Sequence, residues 1–150
     1  MRASNRGFTL IELVVVIAIL AALAAIALPR YINLSQDARI ASVNGVAGGL
    51  RAAVAVVQAR YVTNGNMTAT TVTMLDGTVV DVAAGTGIPT GANTGIGNAL
   101  QSGNNAQPVD GYTTAYGGTT TITPNSGGSA TCRVEYAAAT GAVTAQTGGC

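Results

Sequence analysis

The chain has 150 residues, a formal net charge of +1, only 9% charged residues, 20 glycines, no histidine and no tryptophan. All seven cations are arginines spread along the chain, so no basic patch for nucleic acid is present. With no histidine and only six acids, there is little material for acid–base chemistry or metal ligation. No enzyme, cofactor or metal site is therefore expected. The length suffices for one domain plus one hydrophobic segment, and so low a charge suits a subunit buried on several sides.

The first element is an apolar run behind a short basic lead holding Arg2 and Arg6. From Phe8 to Leu28 only Thr9 and Glu12 are polar, and neither Gly nor Pro interrupts the run before Pro29. As a helix, these residues span roughly 32 Å, about one hydrocarbon core. The arginines ahead of the span predict a cytoplasmic N-terminus and export of the rest; Arg30 on the far side is a weaker counter-signal. Glu12 is the anomaly. A charge in a bilayer costs about 2.5–3.5 kcal/mol at the centre and less near an end, and such a residue usually has a partner. No cation follows within one turn; Arg2 and Arg6 lie on the other side.

The stretch RGFTLIELVVVIAILAALAAIALPRY resembles the N-terminus of a type IV prepilin. The match consists of a basic leader ending in Gly7, the aromatic Phe8, Glu12 five positions into the mature chain, and Pro29 closing the apolar run. PRYINLSQDARIASVNGV and LDGTVVDV further look like the mannose-sensitive haemagglutinin branch of the major pilins. The resemblance implies cleavage between Gly7 and Phe8 by a prepilin peptidase on the cytoplasmic face, with N-methylation of Phe8. It divides the chain into a leader (1–7), a transmembrane and filament-core helix (8–29) and a globular head (30–150). Implied partners are copies of the chain itself, the peptidase, the pilus assembly machinery and minor pilins. The implied locations are the bacterial inner membrane before assembly and an extracellular pilus afterwards.

Elementary electrostatics fits this reading. Cleavage creates an amine on Phe8, four residues before Glu12. In a bundle of axially shifted helices, one subunit's amine can meet its neighbour's Glu12. In a dry core an unmatched charge is costly and a matched pair sets register. Losing residues 1–7 removes two of the seven arginines and leaves five against six acids, a net charge of −1. Other readings stay open at this point. One is an ordinary signal peptide cut near Ala25-Ile26-Ala27, releasing a soluble exported binding protein; another is a simple one-pass anchor. Within the family, the alternatives are a minor pilin or the major pseudopilin of a type II secretion system.

Pro29 lacks an N–H and is expected to kink or loosen the helix. The helical pattern then resumes. Val43, Val46, Leu50, Val54, Val57 and Tyr61 recur at spacings of three and four, which predicts one apolar face, with Arg39, Arg51 and Arg60 mostly elsewhere. The whole helix, Phe8 to about Val62, would be roughly 80 Å long and should stop at Asn64-Gly65. Gly45, Gly48 and Gly49 each cost about 1 kcal/mol inside a helix; close packing against a sheet is the favoured explanation, a second flexible point the other.

Past Gly65 the composition shifts to Gly, Thr, Asn and Val. Thr71–Leu75 and Thr78–Ala83 flank Asp76-Gly77, a strong hairpin signal. A loop should run from Gly85 to Gln107, with one helical turn around Ile96–Gln101. Strands are expected at Thr119–Thr123, Ala130–Ala137 and Ala142–Gln146. The predicted fold is α+β, the pilin fold. The apolar half of the long N-terminal helix protrudes, and its amphipathic half lies on an antiparallel sheet of about four strands.

Cys132 and Cys150 bracket the last segment. In an exported chain two cysteines read as a disulfide, and the resemblance implies the same closure of the C-terminal region. Among the remaining acids, Asp76 is explained by its turn and Asp81 by a solvated strand edge. Asp110 in PVDGY reads as a turn residue rather than a calcium ligand.

Overall fold

The computed structural model describes residues 8–100 and 107–150, with backbone alone at 29–33. The expected leader through Gly7, and Gln101 at the end of the expected helical turn, lie outside the described residues. The chain divides into two compact units, Met1–Asp37 and Ala38–Cys150. A helix, α1 (Leu10–Thr63), contributes to both.

In the first unit the described residues from Leu10 onward are helical, and those through Leu28 are all exposed. Helical backbone continues through position 29, whose side chain lies outside the described residues.

In the second unit α1 is amphipathic at the predicted positions. Val43, Leu50, Val54, Val57 and Tyr61 are buried, with Ala47 between them, and Val46 is partly buried. The helix ends as its sequence predicts. Asn64 N–H still reaches the Arg60 carbonyl, and Gly65, at φ 71°, turns the chain away through a bond to Val62; this left-handed conformation suits a residue without Cβ.

Six short strands follow among the described residues. β1 (Thr71–Thr73) and β2 (Val79–Asp81) form a separate two-stranded hairpin. Its turn is set by Asp76, whose carboxylate accepts the Thr78 N–H at 2.9 Å, and by Gly77 at φ 84°. β3 (Tyr112–Ala115), β4 (Thr119–Pro124), β5 (Arg133–Ala137) and β6 (Ala142–Gln146) form an antiparallel four-stranded sheet in chain order. The hairpin is thus a satellite of the main sheet, and β3 lies beyond the expected Gly85–Gln107 loop, in a stretch to which the sequence pattern assigns no element. A π-helical turn (Asn93–Gly97) runs into a short helix, α2 (Asn98–Leu100), so the expected helical turn begins three residues earlier than its pattern suggests. The strand expected from Ala130 starts at Arg133, because Ser129 to Cys132 form a closed turn with a bridge between the two.

Strand alternation fills the core. Tyr112, Thr120, Ile122, Val134 and Tyr136 point inward, as period-two geometry requires. Val43, Ala47, Leu50 and Val54 meet this layer together with Ile88 and Ile96. Farther along α1, Val57 and Tyr61 pack with Val72, Val80 and Val82 of the hairpin region. Fully burying one such aliphatic or aromatic side chain contributes about 1.5–3 kcal/mol, so these two clusters supply most of the cohesion.

Buried tyrosines fasten the loops. Tyr61 donates to the Met67 carbonyl at 2.5 Å and accepts from Gly85 N–H at 2.8 Å. Tyr136 donates to the Pro89 carbonyl at 2.6 Å, and burial pushes its hydroxyl pKa up to about 12. The outer edges of the sheet are partly occupied: Gln107 Oε1 accepts the Thr114 N–H at 2.6 Å, and Arg51 donates to the Val143 carbonyl at 3.0 Å. Filling such edge groups discourages pairing with another chain.

Gly45, Gly48 and Gly49 correct an expectation. All three are exposed, and a Cβ built on any of them meets nothing within 4 Å. Close packing against the sheet therefore does not explain them, because they lie on the side of α1 turned away from it.

Candidate functional site

The feature that stands out chemically is the N-terminal part of α1. Leu10–Leu28 is long and apolar enough to cross a membrane by length and composition, and none of it is buried. Leu10, Ile17, Leu20, Leu23 and Leu28 are each at least half exposed. Leu34–Thr63 passes the same composition test, but its inward face is the core of the second unit. A wholly exposed apolar surface of this size calls for lipid or protein to cover it.

The first turn shows how Glu12 is held. Thr9 precedes the helix and Glu12 is its third residue, the spacing of a capping box. Thr9 N–H donates to Glu12 Oε2 at 2.8 Å, Thr9 Oγ1 donates to the same oxygen at 2.7 Å, and Glu12 N–H returns to Thr9 Oγ1 at 3.4 Å. Two otherwise unpaired groups at the helix start are thereby satisfied. Glu12 thus has a partner within its own chain, a hydroxyl and an amide rather than a cation. The signal was present as T-x-x-E ahead of an apolar run. Oε1 of Glu12 makes no hydrogen bond among the described residues. Phe8, Ile11, Val15 and Val16 line one open apolar groove with Glu12, and Phe8 is 90% exposed.

Of the other singled-out residues, Gly7 lies outside the described residues and Pro29 is described by backbone alone. Cys132 and Cys150 are bonded, with Cα atoms 4.8 Å apart and a sequence separation of 18. Cys132 is fully buried, and Arg39 Nε donates to the Cys150 carbonyl at 3.0 Å, so the last segment is tied to α1 as well as to the start of β5. Asp81 is more than a solvated edge: it accepts from Thr94 Oγ1 at 2.6 Å. Asp110 sits in the turn before β3, where Gly111 has φ 79° and Tyr112 N–H reaches Val109. Among the described residues no three His, Cys, Asp or Glu come together to hold a metal.

Comparison with known proteins points to the same segment. Residues 2–28 match the prokaryotic N-terminal methylation motif. Over 62 residues the chain is 48% identical to the type IV narrow pilus major component PilA5 of Thermus thermophilus, covering 40% of this chain and 52% of that protein. Over 54 residues it is 43% identical to the type IV major fimbrial protein FimA of Dichelobacter nodosus, covering 36% of this chain and 35% of that one. The chain thus spans about half or less of the length of these relatives. No solved structure matches it. The methylation motif, the similarity to pilus and fimbrial proteins, and a long apolar helix followed by antiparallel sheets together support the type IV pilin family for this chain.

Proposed function

We propose that the chain is the major structural subunit of a type IV pilus. It is made with a leader, residues 1–7, that is cut between Gly7 and Phe8, and Phe8 is then N-methylated by the prepilin peptidase. Residues 8–29 hold the subunit in the inner membrane with its N-terminus cytoplasmic. They then leave lipid for the core of an extracellular helical homopolymer, while residues 30–150 form the head. Its role is structural rather than enzymatic.

The observation that carries this reading is the exposed Leu10–Leu28 helix, opened by a capped acid and coinciding with the methylation motif. In water that surface is unfavourable by about 25 cal/mol per Å². Membrane and helix bundle both cover it, so transfer between them is close to balanced, and polar groups decide register. Glu12 supplies the polar group. Its Oε2 is engaged by Thr9, and Oε1 is directed to the Phe8 amine of an axially shifted neighbour. The major-component names of the relatives support a pilin over a pseudopilin.

The test is Glu12→Gln and Glu12→Ala, measured as membrane-inserted subunit and as sheared filament. Both variants should insert at wild-type levels, and filament yield should fall at least about tenfold, the effect of a lost ion pair in a dry core. Wild-type filament from either variant would remove the pairing from the account.

A further inference from the structure

One cleft in the second unit remains unused by this account. Its volume is about 300 Å³, and Arg39, Ser42, Asp110, Tyr112, Pro124 and Ser126 line it. We propose that it binds a small zwitterion, a molecule carrying an anionic group and an ammonium on one short carbon skeleton.

The charges make the case. Arg39 is half-buried and held on two sides. Its Nε is engaged by the Cys150 carbonyl, and a Cβ at Gly127 would lie only 3.0–3.1 Å from its Nη1, Cδ and Cζ atoms. The Nη hydrogens have no acceptor among the described residues. Asp110 lines the same cleft and makes no hydrogen bond or ion pair among the described residues. The two do not pair with each other; among the described residues the ion pair is Arg133–Glu135. A fixed guanidinium with its Nη groups unengaged by the described residues and a carboxylate with no partner among them therefore share a concavity.

Ligand class follows by elimination. A simple anion suited to Arg39 is repelled by Asp110, and a simple cation suited to Asp110 is repelled by Arg39. A neutral polyol strips water from two full charges and returns only neutral hydrogen bonds. A zwitterion answers both charges at once. The hydrogen-bonded pair of Ser42 Oγ and Tyr112 Oη, 2.5 Å apart, and the Ser126 hydroxyl offer further polar contacts. The Pro124 and Tyr112 rings offer surface to a few carbons. The volume is at the small end of ligand pockets, the size for an amino acid rather than a larger molecule.

The experiment is an NMR titration of the full chain in detergent micelles, following the amides of Ser42, Gly111 and Ser126. The probes are glycine, β-alanine and γ-aminobutyrate, which separate the two charges by increasing lengths. Acetate, methylammonium and glycerol serve as single-charge and neutral controls. At least one zwitterion should give saturable shifts that the controls do not. Asp110→Asn and Arg39→Gln should each weaken it about tenfold, the scale of one charge-assisted hydrogen bond. Asp110→Asn breaks no bond made by the described residues, so it remains decisive even if Arg39→Gln disturbs the Cys150 contact. Absence of saturation with all three zwitterions, equal binding of any control, or unchanged affinity in Asp110→Asn would overturn the proposal.

Discussion

Replacing Gly45, Gly48 and Gly49 together by alanine should stabilise the protein. All three lie within α1, none has a positive φ, and a Cβ on any of them meets nothing within 4 Å. The folded state thus loses nothing, while the unfolded chain loses freedom. Each exchange is worth about 0.4–1 kcal/mol, so the triple variant should gain about 1.2–3 kcal/mol. At about 4 °C per kcal/mol for a domain of this size, Tm should rise by about 5–12 °C. The assay is thermal unfolding of the full chain in detergent, disulfide intact, followed by near-UV circular dichroism. Gly87→Ala is the matched opposite. Gly87 has φ 65°, and a Cβ there runs into the Tyr61 ring. Backbone strain and overpacking should together cost about 2–4 kcal/mol. An unchanged or lowered Tm in the triple variant would mean that this face of α1 is not open in the subunit, and would refute the reasoning.

Three further outcomes follow from the same geometry. Tyr136 is neutral and buried with a pKa raised to about 12 from 10.0. Its contribution is therefore complete below pH 10 and lost as pH rises toward 12, by about 2–3 kcal/mol. The stability gap between wild type and Tyr136→Phe, about 1–3 kcal/mol at pH 8 from the lost bond to Pro89, should close over that window in urea titrations; a constant gap would contradict it. Cys132→Ser with Cys150→Ser should cost about 3 kcal/mol by the loop-entropy argument, and proteolysis should then cut first within residues 147–150; unchanged resistance would argue against it. Thr9→Ala should release the first turn of α1, seen as hydrogen exchange at the Glu12 amide speeding several-fold while amides beyond Ile17 are unchanged.

Much of this was readable from sequence because it is periodic or local. The three-and-four spacing from Val43 to Tyr61 identifies the buried face of α1, and Asp76-Gly77 and Asn64-Gly65 mark their turns through short-range chemistry. The same periodicity sets Gly45 and Gly48 opposite Val43 and Leu50, on the open side of the helix. Thr9 is equally legible, as the first residue of a T-x-x-E capping box. β3 was not legible: Tyr-Thr-Thr-Ala is only four residues long and lies between glycines, and it becomes a strand by pairing with β4. Nor does a hairpin signal state which sheet the hairpin joins; among the described residues β1 and β2 pair with each other in a separate two-stranded sheet. The bond from Arg39 to Cys150 and the cleft that Arg39 shares with Asp110 are long-range and have no local signature.

The most direct test of the central claim is the intact mass of this protein in filaments sheared from cells. The account predicts a chain beginning at Phe8, heavier by one methyl group and lighter by two hydrogens for the Cys132–Cys150 bond. A chain still carrying residues 1–7, or one beginning near residue 28, would contradict it. So would absence of the protein from sheared filaments.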